Sequence, residues 1–339
     1  MLNKLLIPEF QNKNIEPHYI GSKKGIEKDI ISKMDIPYHE ISSGKLRRYL
    51  SFENLKDIFK VVKGVTDAKK ILKREKPLFV FSKGGFVSVP VVLAAAAKDV
   101  PVYIHESDLT PGLANRIASK FATKVFTTFE ATAEKFTDAK AEYLGPVIRP
   151  ELLKGKHKRG YALTGFNSGK PVLIVMGGSL GAKKINEFVH GNIDTLTEKY
   201  QVIHLTGKGN ANNKIKSAGY KQFEFVGDEL ADLLAISDIV ISRSGSNAIF
   251  ELLLAKKPMV LIPLGLDQSR GDQIQNAKHF NKQGYAEVLK EENLNLENLY
   301  EKLDYIDTNY SDITYKMTQF KHGFNPGELV DKLIGEASE

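Results

Sequence analysis

Twelve short, mostly apolar runs punctuate this 339-residue chain, and between them apolar residues recur with helical spacing. Runs such as PLFVF (77–81), PVLIVM (171–176) and DIVIS (238–242) are apolar on both faces, so each needs cover on both sides, the condition of a strand in a helix-covered parallel sheet. The pattern predicts strands near 17–20, 37–42, 77–81, 101–105, 124–128 and 141–145, then near 171–176, 201–205, 222–226, 238–242, 258–262 and 285–288. The fold class is α/β, with two doubly wound, Rossmann-like domains around a cleft. Their expected limits are 1–150 and 151–339, with the lysine- and glycine-bearing stretch 153–169 as linker and the last helix returning to the first domain. Ligands in such folds sit at the carboxyl ends of strands, so the loops after the runs are the places to search. The opening LNKLLIPEF reads as a helix already under way, so the first domain is expected to lack one βα unit.

Composition narrows the function. With 42% hydrophobic and 26% charged residues the chain is an ordinary globular protein. No run is long enough to span a bilayer, and Pro8 and Glu9 interrupt anything resembling a secretory leader. Cysteine is absent, which excludes thiolate metal sites and cysteine nucleophiles. Neither Asp-x-Asp nor His-Glu-x-x-His occurs, so no metal and no cofactor is expected. The net charge of +7 is concentrated early: residues 1–150 carry 25 Lys and Arg against 17 Asp and Glu, the remainder 23 against 24. Within 45–76 there are eleven basic and four acidic residues, with Phe52, Leu55, Phe59 and Val62 at helical spacing beside Lys56, Lys60, Lys63, Lys69 and Lys70. Such a stripe either faces the core or, with Tyr49, Leu50 and Phe52 exposed, rests on an anionic membrane surface. No nucleic-acid module is recognisable, so nucleic acid is not an expected partner.

Several loops carry chemistry. VMGGSLGAKKIN (175–186) is strand, glycine turn and helix; Ser179 and the following N–H groups could receive a phosphate, or the glycines could simply allow tight packing. SRSGSNAIFE (242–251) repeats the arrangement, with Ser246 and Asn247 at the helix start and Glu251 further in, either a partner for ribose hydroxyls or a solvated acid. PLGLDQSRGDQIQNA (263–277) puts Gln273 and Asn276 on one helical face, where amides suit sugar hydroxyls or serve as caps. In the first half, FSKGGFVSVP (81–90) and IHESDLTPGLANRIA (104–118) follow buried strands, and His105, Glu106 and Asp108 form either an acid/base group or a structural one.

These motifs, in this order together with GKLRRY (44–49), closely resemble the MurG family of bacterial glycosyltransferases over nearly the whole chain. The resemblance implies a GT-B fold and inverting transfer of N-acetylglucosamine from UDP-GlcNAc to an undecaprenyl-diphosphate-linked muramoyl-peptide. By position it implies that Ser179 meets the donor diphosphate, Arg149 lies near the donor at the interdomain joint, Val226 offers its backbone to uracil and Glu251 binds the ribose. Ser246 and Asn247 would face phosphates and sugar, and Gln273 the GlcNAc hydroxyls, while Asp108 stands where the family has an amide. The family opens with a strand and a Gly-Gly-Gly-Thr-x-Gly-His turn whose counterpart is expected upstream of Met1, the start having been placed late. Among the residues present, Glu106 is the candidate base. The expected location is the cytoplasmic face of the cell membrane, as a peripheral protein among other cell-wall synthesis proteins. A different GT-B enzyme, such as an epimerase or glycolipid synthase, and a non-catalytic UDP-sugar-binding protein are the competing readings.

Overall fold

A computed structural model describes residues 2–23, 25–44, 52–136, 141–178, 181–321 and 323–338; of 26 and 52–58 only the backbone is described. The basic Lys45–Ser51 segment, with Tyr49 and Leu50, the side chains of Phe52, Leu55 and Lys56, and Ser179 therefore lie outside the described residues. The chain divides into two compact units, Met1–Val147 with His322–Glu339, and Ile148–Lys321. The division falls at 147/148, and the second unit ends at 321 rather than 339, because the segment after it pairs with the first. Val147 bridges Phe324 in parallel, and Phe324 N donates to Pro146 O at 2.9 Å. The terminal helix Pro326–Ser338 then buries Leu329, Val330 and Leu333 in one cluster with Leu2, Leu6, Phe10, Tyr103 and Phe126.

The first unit holds six strands: β1 (Tyr19–Ser22), β2 (Tyr38–Ile41), β3 (Val80–Ser82), β4 (Val102–Glu106), β5 (Lys124–Thr127) and β6 (Ala141–Tyr143). They form two sheets, β1-β2 and β3-β4-β5-β6, with every pair parallel. The strands β1 and β3, each at the edge of its own sheet, line one cavity of about 740 Å3. The helix Phe52–Glu75 crosses close to β2 at Gly64, where a Cβ would lie 2.1 Å from Ser42 O. Its inward side sends Ala68 and Leu72 into the core, while Phe59 and Val62 are 75% and 59% exposed.

The second unit is built on β7 (Val172–Met176), β8 (Gln201–Leu205), β9 (Tyr220–Phe223), β10 (Ile239–Ser242), β11 (Met259–Leu261) and β12 (Ala286–Val288). Their order is β12-β11-β10-β7-β8-β9, all parallel, the Rossmann order in which the sheet grows first to one side of β7 and then to the other. The reversal leaves a crevice at the carboxyl ends of β7 and β10. The expected linker 153–169 is not extended: it contains the helix His157–Thr164, packed on the helix Glu229–Ile236. Two of its glycines, Gly155 and Gly160, serve that contact. A Cβ on Gly155 would lie 1.9 Å from Ala231 O, and one on Gly160 2.3 Å from Asp232 O.

Candidate functional site

At the β7–β10 crevice two strand-to-helix corners meet. The first runs from β7 through Gly177, Gly178 and Gly181 into the helix Lys183–Gly191. Gly177 and Gly181 answer to packing, since their Cβ atoms would fall 2.5 Å from Ala182 and 2.1 Å from Thr206 O. Gly178 answers to something else: its φ is +88°, and among the described residues an added Cβ would meet nothing within 4 Å. The second corner leaves β10 through Arg243, Ser244 and Gly245 into the helix Ser246–Leu254. Gly245 has an extended backbone (φ −69°, ψ 132°) that any residue could adopt, and again nothing lies within 4 Å of its Cβ position.

Both open glycines line a cavity of about 400 Å3. The N-cap residues of the two helices are Ala182 and Gly245, which have no side-chain acceptor for the first-turn N–H groups. Two helix N-termini, each equivalent to about half a positive charge, therefore converge on one hollow. Lys183, Lys184 and Arg243 add full charges to its wall. Arg243 is buried, donates through Nη1 to Ile262 O (3.1 Å) and Pro263 O (3.4 Å), and pairs through Nη2 with Glu291. Glu291 also meets Lys184 Nζ at 3.1 Å and accepts from Gln268 Nε2 at 3.1 Å. Burial pushes the Glu291 carboxyl up, but the Arg243 and Lys184 cations together hold it below its ordinary value. The surroundings thus fix a carboxylate and a positive, polar-rimmed hollow suited to a doubly charged anion.

Gln273 lines this cavity, its Oε1 accepting from Leu264 N at 3.1 Å, which fixes the loop after β11. Asn276, expected on the same ligand-facing side, is instead fully buried and donates to Ser244 O at 3.2 Å, bracing one corner against the other helix. Ser246 is buried in the first helical turn and Asn247 is exposed beside it. Glu251 lies further along that helix, outside the cavity lining, where Arg149 Nη2 is 3.3 Å from its Oε1. Burial lifts the Glu251 carboxyl above its usual value despite Arg149. Val226 is half-buried in the loop between β9 and the helix Glu229–Ile236. Sequence reading passed over Lys184, Gln268, Arg243 and Glu291 as site residues; the paired lysines and the arginine before Ser-Gly were visible, but their shared carboxylate is 48 residues from Arg243.

In the first unit Glu106 closes β4 and is almost wholly buried. Its Oε1 accepts from Asp108 N (3.0 Å), and its Oε2 from Gly112 N (3.0 Å) and Asn115 Nδ2 (2.8 Å). It is thus the anchor of the loop 107–112, and the half-buried Asp108 is held at its backbone by Glu106 and by Thr132 Oγ1 (3.3 Å). Beside it, Lys83 Nζ is 2.8 Å from His105 Nδ1. Burial pushes the Lys83 ammonium down to about 8 and keeps His105 neutral.

Residues 2–127 match the glycosyltransferase family 28 N-terminal domain and residues 172–327 the glycosyltransferase family 28 C-terminal domain. A Staphylococcus carnosus UDP-N-acetylglucosamine–N-acetylmuramyl-(pentapeptide) pyrophosphoryl-undecaprenol N-acetylglucosamine transferase is 55% identical over 340 aligned residues, covering 100% of this chain and 94% of the relative. Among solved structures, Acinetobacter baumannii MurG superposes with a TM-score of 0.77 at 22% identity, over 98% of this chain and 95% of that one. The UDP-GlcNAc 2-epimerase of Neisseria meningitidis, bound to UDP-GlcNAc, gives 0.62 at 13% identity over 98% and 94%. At these identities the two structures speak for the fold alone.

Proposed function

Because the chain belongs to the MurG family of N-acetylglucosaminyltransferases, we propose that the cavity in its second unit holds the diphosphate of UDP-GlcNAc. The enzyme moves GlcNAc from UDP-GlcNAc to the undecaprenyl-diphosphate-linked muramoyl-peptide. One observation carries the assignment of the site: among the described residues, two helix N-termini without side-chain caps meet at two glycines whose missing Cβ atoms leave space that no described atom fills.

In this reading the acceptor hydroxyl attacks the anomeric carbon from the side opposite UDP, and negative charge gathers on the departing diphosphate. Backbone N–H groups at the two helix starts supply fixed donors for that charge, one such donor being worth about 10²–10³ in rate, and Lys183 and Lys184 on the cavity wall add positive charge. Arg243 and Glu291 hold Lys184 and the β11 loop in place. Glu251 accepts from the ribose hydroxyls with Arg149 fixing its orientation, Val226 offers backbone to the base, and Gln273 serves the sugar. Ser179 and the first turn at Ser246 and Asn247 complete the diphosphate contacts. Asn276 acts through the corner that it braces. Glu106, whose carboxylate is occupied by three N–H donors, is a positioning residue for the loop that carries Asp108, and the role of proton acceptor passes from it.

Among the described residues no helix is long and apolar enough to cross a membrane. The reading places the helix Phe52–Glu75 against the membrane surface that carries the lipid acceptor. Phe59 and Val62 point outward beside the exposed Lys60, Lys63, Lys69 and Lys70, each nearby lysine adding about 1 kcal/mol of attraction to an anionic leaflet. The deciding assay follows labelled GlcNAc. Its appearance on the lipid-linked acceptor is expected; release of a free sugar with no acceptor required would overturn the reading in favour of an epimerase.

A further inference from the structure

Three metal-ligating side chains gather in the first unit at a place that donor binding does not use. His18 precedes β1, His39 lies within β2 and Glu75 ends the helix Phe52–Glu75. The parallel register, Tyr19 opposite Tyr38 and Ile20 opposite His39, brings the two imidazoles together, stacked with centroids 5.1 Å apart. His18 Nδ1 is 2.9 Å from His39 Nε2 and 3.8 Å from Glu75 Oε2, and His39 Nε2 is 3.9 Å from Glu75 Oε1. Ligands held at about 2.0–2.1 Å around a tetrahedral zinc stand about 3.3–3.4 Å from one another; the two histidines approach different oxygens of Glu75, and one ligand atom from each of the three residues lies within 4.8 Å of the others, so a small side-chain rotation brings them to that spacing.

The surrounding contacts of both histidines are displaceable. The remaining ring nitrogen of His18, Nε2, lies 3.6 Å from Oε1 of the largely exposed Glu16, beyond hydrogen-bond reach. Arg74 opposes the site: its Nη2 is 3.1 Å from His39 Nδ1, and its Nε pairs with Glu75. A metal on His39 Nε2 puts a proton on Nδ1, donor against donor. With a side chain 65% exposed, Arg74 can swing into solvent.

We propose that His18 Nδ1, His39 Nε2 and Glu75 form a site for a borderline divalent transition metal of the zinc class, with water as the fourth ligand. Two imidazoles and one carboxylate select zinc, nickel or copper over magnesium and calcium. The ion clips β2 and the start of β1 to the end of the long helix. His18 and Glu75 also line the cavity between β1 and β3, which supplies the route to solvent.

Tag-free, chelator-treated full chain titrated with zinc chloride by calorimetry, and with cobalt(II) chloride by visible absorption, tests this. One zinc per chain, a tetrahedral cobalt spectrum and no magnesium binding are expected. His18→Ala, at an exposed position, should weaken zinc binding at least about tenfold. Glu75→Gln, which keeps the shape of the side chain, should do the same. Arg74→Ala should tighten binding. A wild-type chain that takes up no zinc, or an affinity unchanged in both His18→Ala and Glu75→Gln, overturns the proposal.

Discussion

Arg149 and Glu251, 102 residues apart, meet in the second unit with Nη2 at 3.3 Å and Nε at 3.4 Å from the same carboxylate oxygen. The long distances and single shared oxygen leave the other oxygen of Glu251 for a ligand. If that ligand is a ribose, Glu251→Ala should weaken UDP binding about tenfold, the scale of one charge-assisted hydrogen bond. It should also abolish discrimination between UDP and 2′-deoxy-UDP. Isothermal titration with the two nucleotides measures both effects, and a variant that still discriminates would place the ribose elsewhere.

Ionised Glu251 is costly without a ligand. Burial raises its folded value above the unfolded one, so its stabilising contribution is complete below the unfolded value and lost as pH rises through the folded value. At neutral pH, Glu251→Gln should therefore melt higher than wild type, by about 1–3 °C for a unit of this size. The gap should close as pH falls toward 4. Thermal melts across that range are the check, and a lower melting point for the variant at neutral pH would mean that Arg149 outweighs burial.

Gly160 offers a test of the fold. Glycine to alanine in an exposed helix stabilises by about 1 kcal/mol. Here the new Cβ would lie 2.3 Å from Asp232 O, so Gly160→Ala should instead destabilise by about 2 kcal/mol, the scale of overpacking. Urea denaturation gives the sign directly.

That glycine also shows where the sequence is readable. Each of the twelve runs overlaps a strand, and the signal is plainest in β4, β8 and β10, where burial on both faces leaves a composition that few other structures tolerate. Gly155 and Gly160, read as linker punctuation, mark a close approach to the helix Glu229–Ile236, since glycine signals either a turn or a close contact and only the neighbour decides. The adjacent Gly177 and Gly178 divide in the same way, one filled by Ala182 and the other open. The glycine corners and Gln273 were legible as candidates from their place after buried strands. The Lys184–Glu291–Arg243 network and the burial of Asn276 were not, because they join residues that only the sheet order brings together.

The outward face of the helix Phe52–Glu75 makes a separate prediction. Replacing Phe59 and Val62 by aspartate should reduce binding to vesicles rich in anionic lipid by about tenfold or more, without lowering the melting point, because both side chains are already exposed. Vesicle co-sedimentation at low and high salt separates the apolar and electrostatic parts.

The affinity of Gly245→Val for UDP is the most direct test of the donor site. The backbone at Gly245 suits any residue and no described atom lies within 4 Å of its Cβ position, so the variant should fold with a melting point near that of wild type. The valine side chain would occupy the space assigned to the diphosphate, so calorimetry should show UDP binding reduced at least about a hundredfold, the cost of losing close approach to two helix ends. A folded Gly245→Val chain that binds UDP as tightly as wild type would contradict the account.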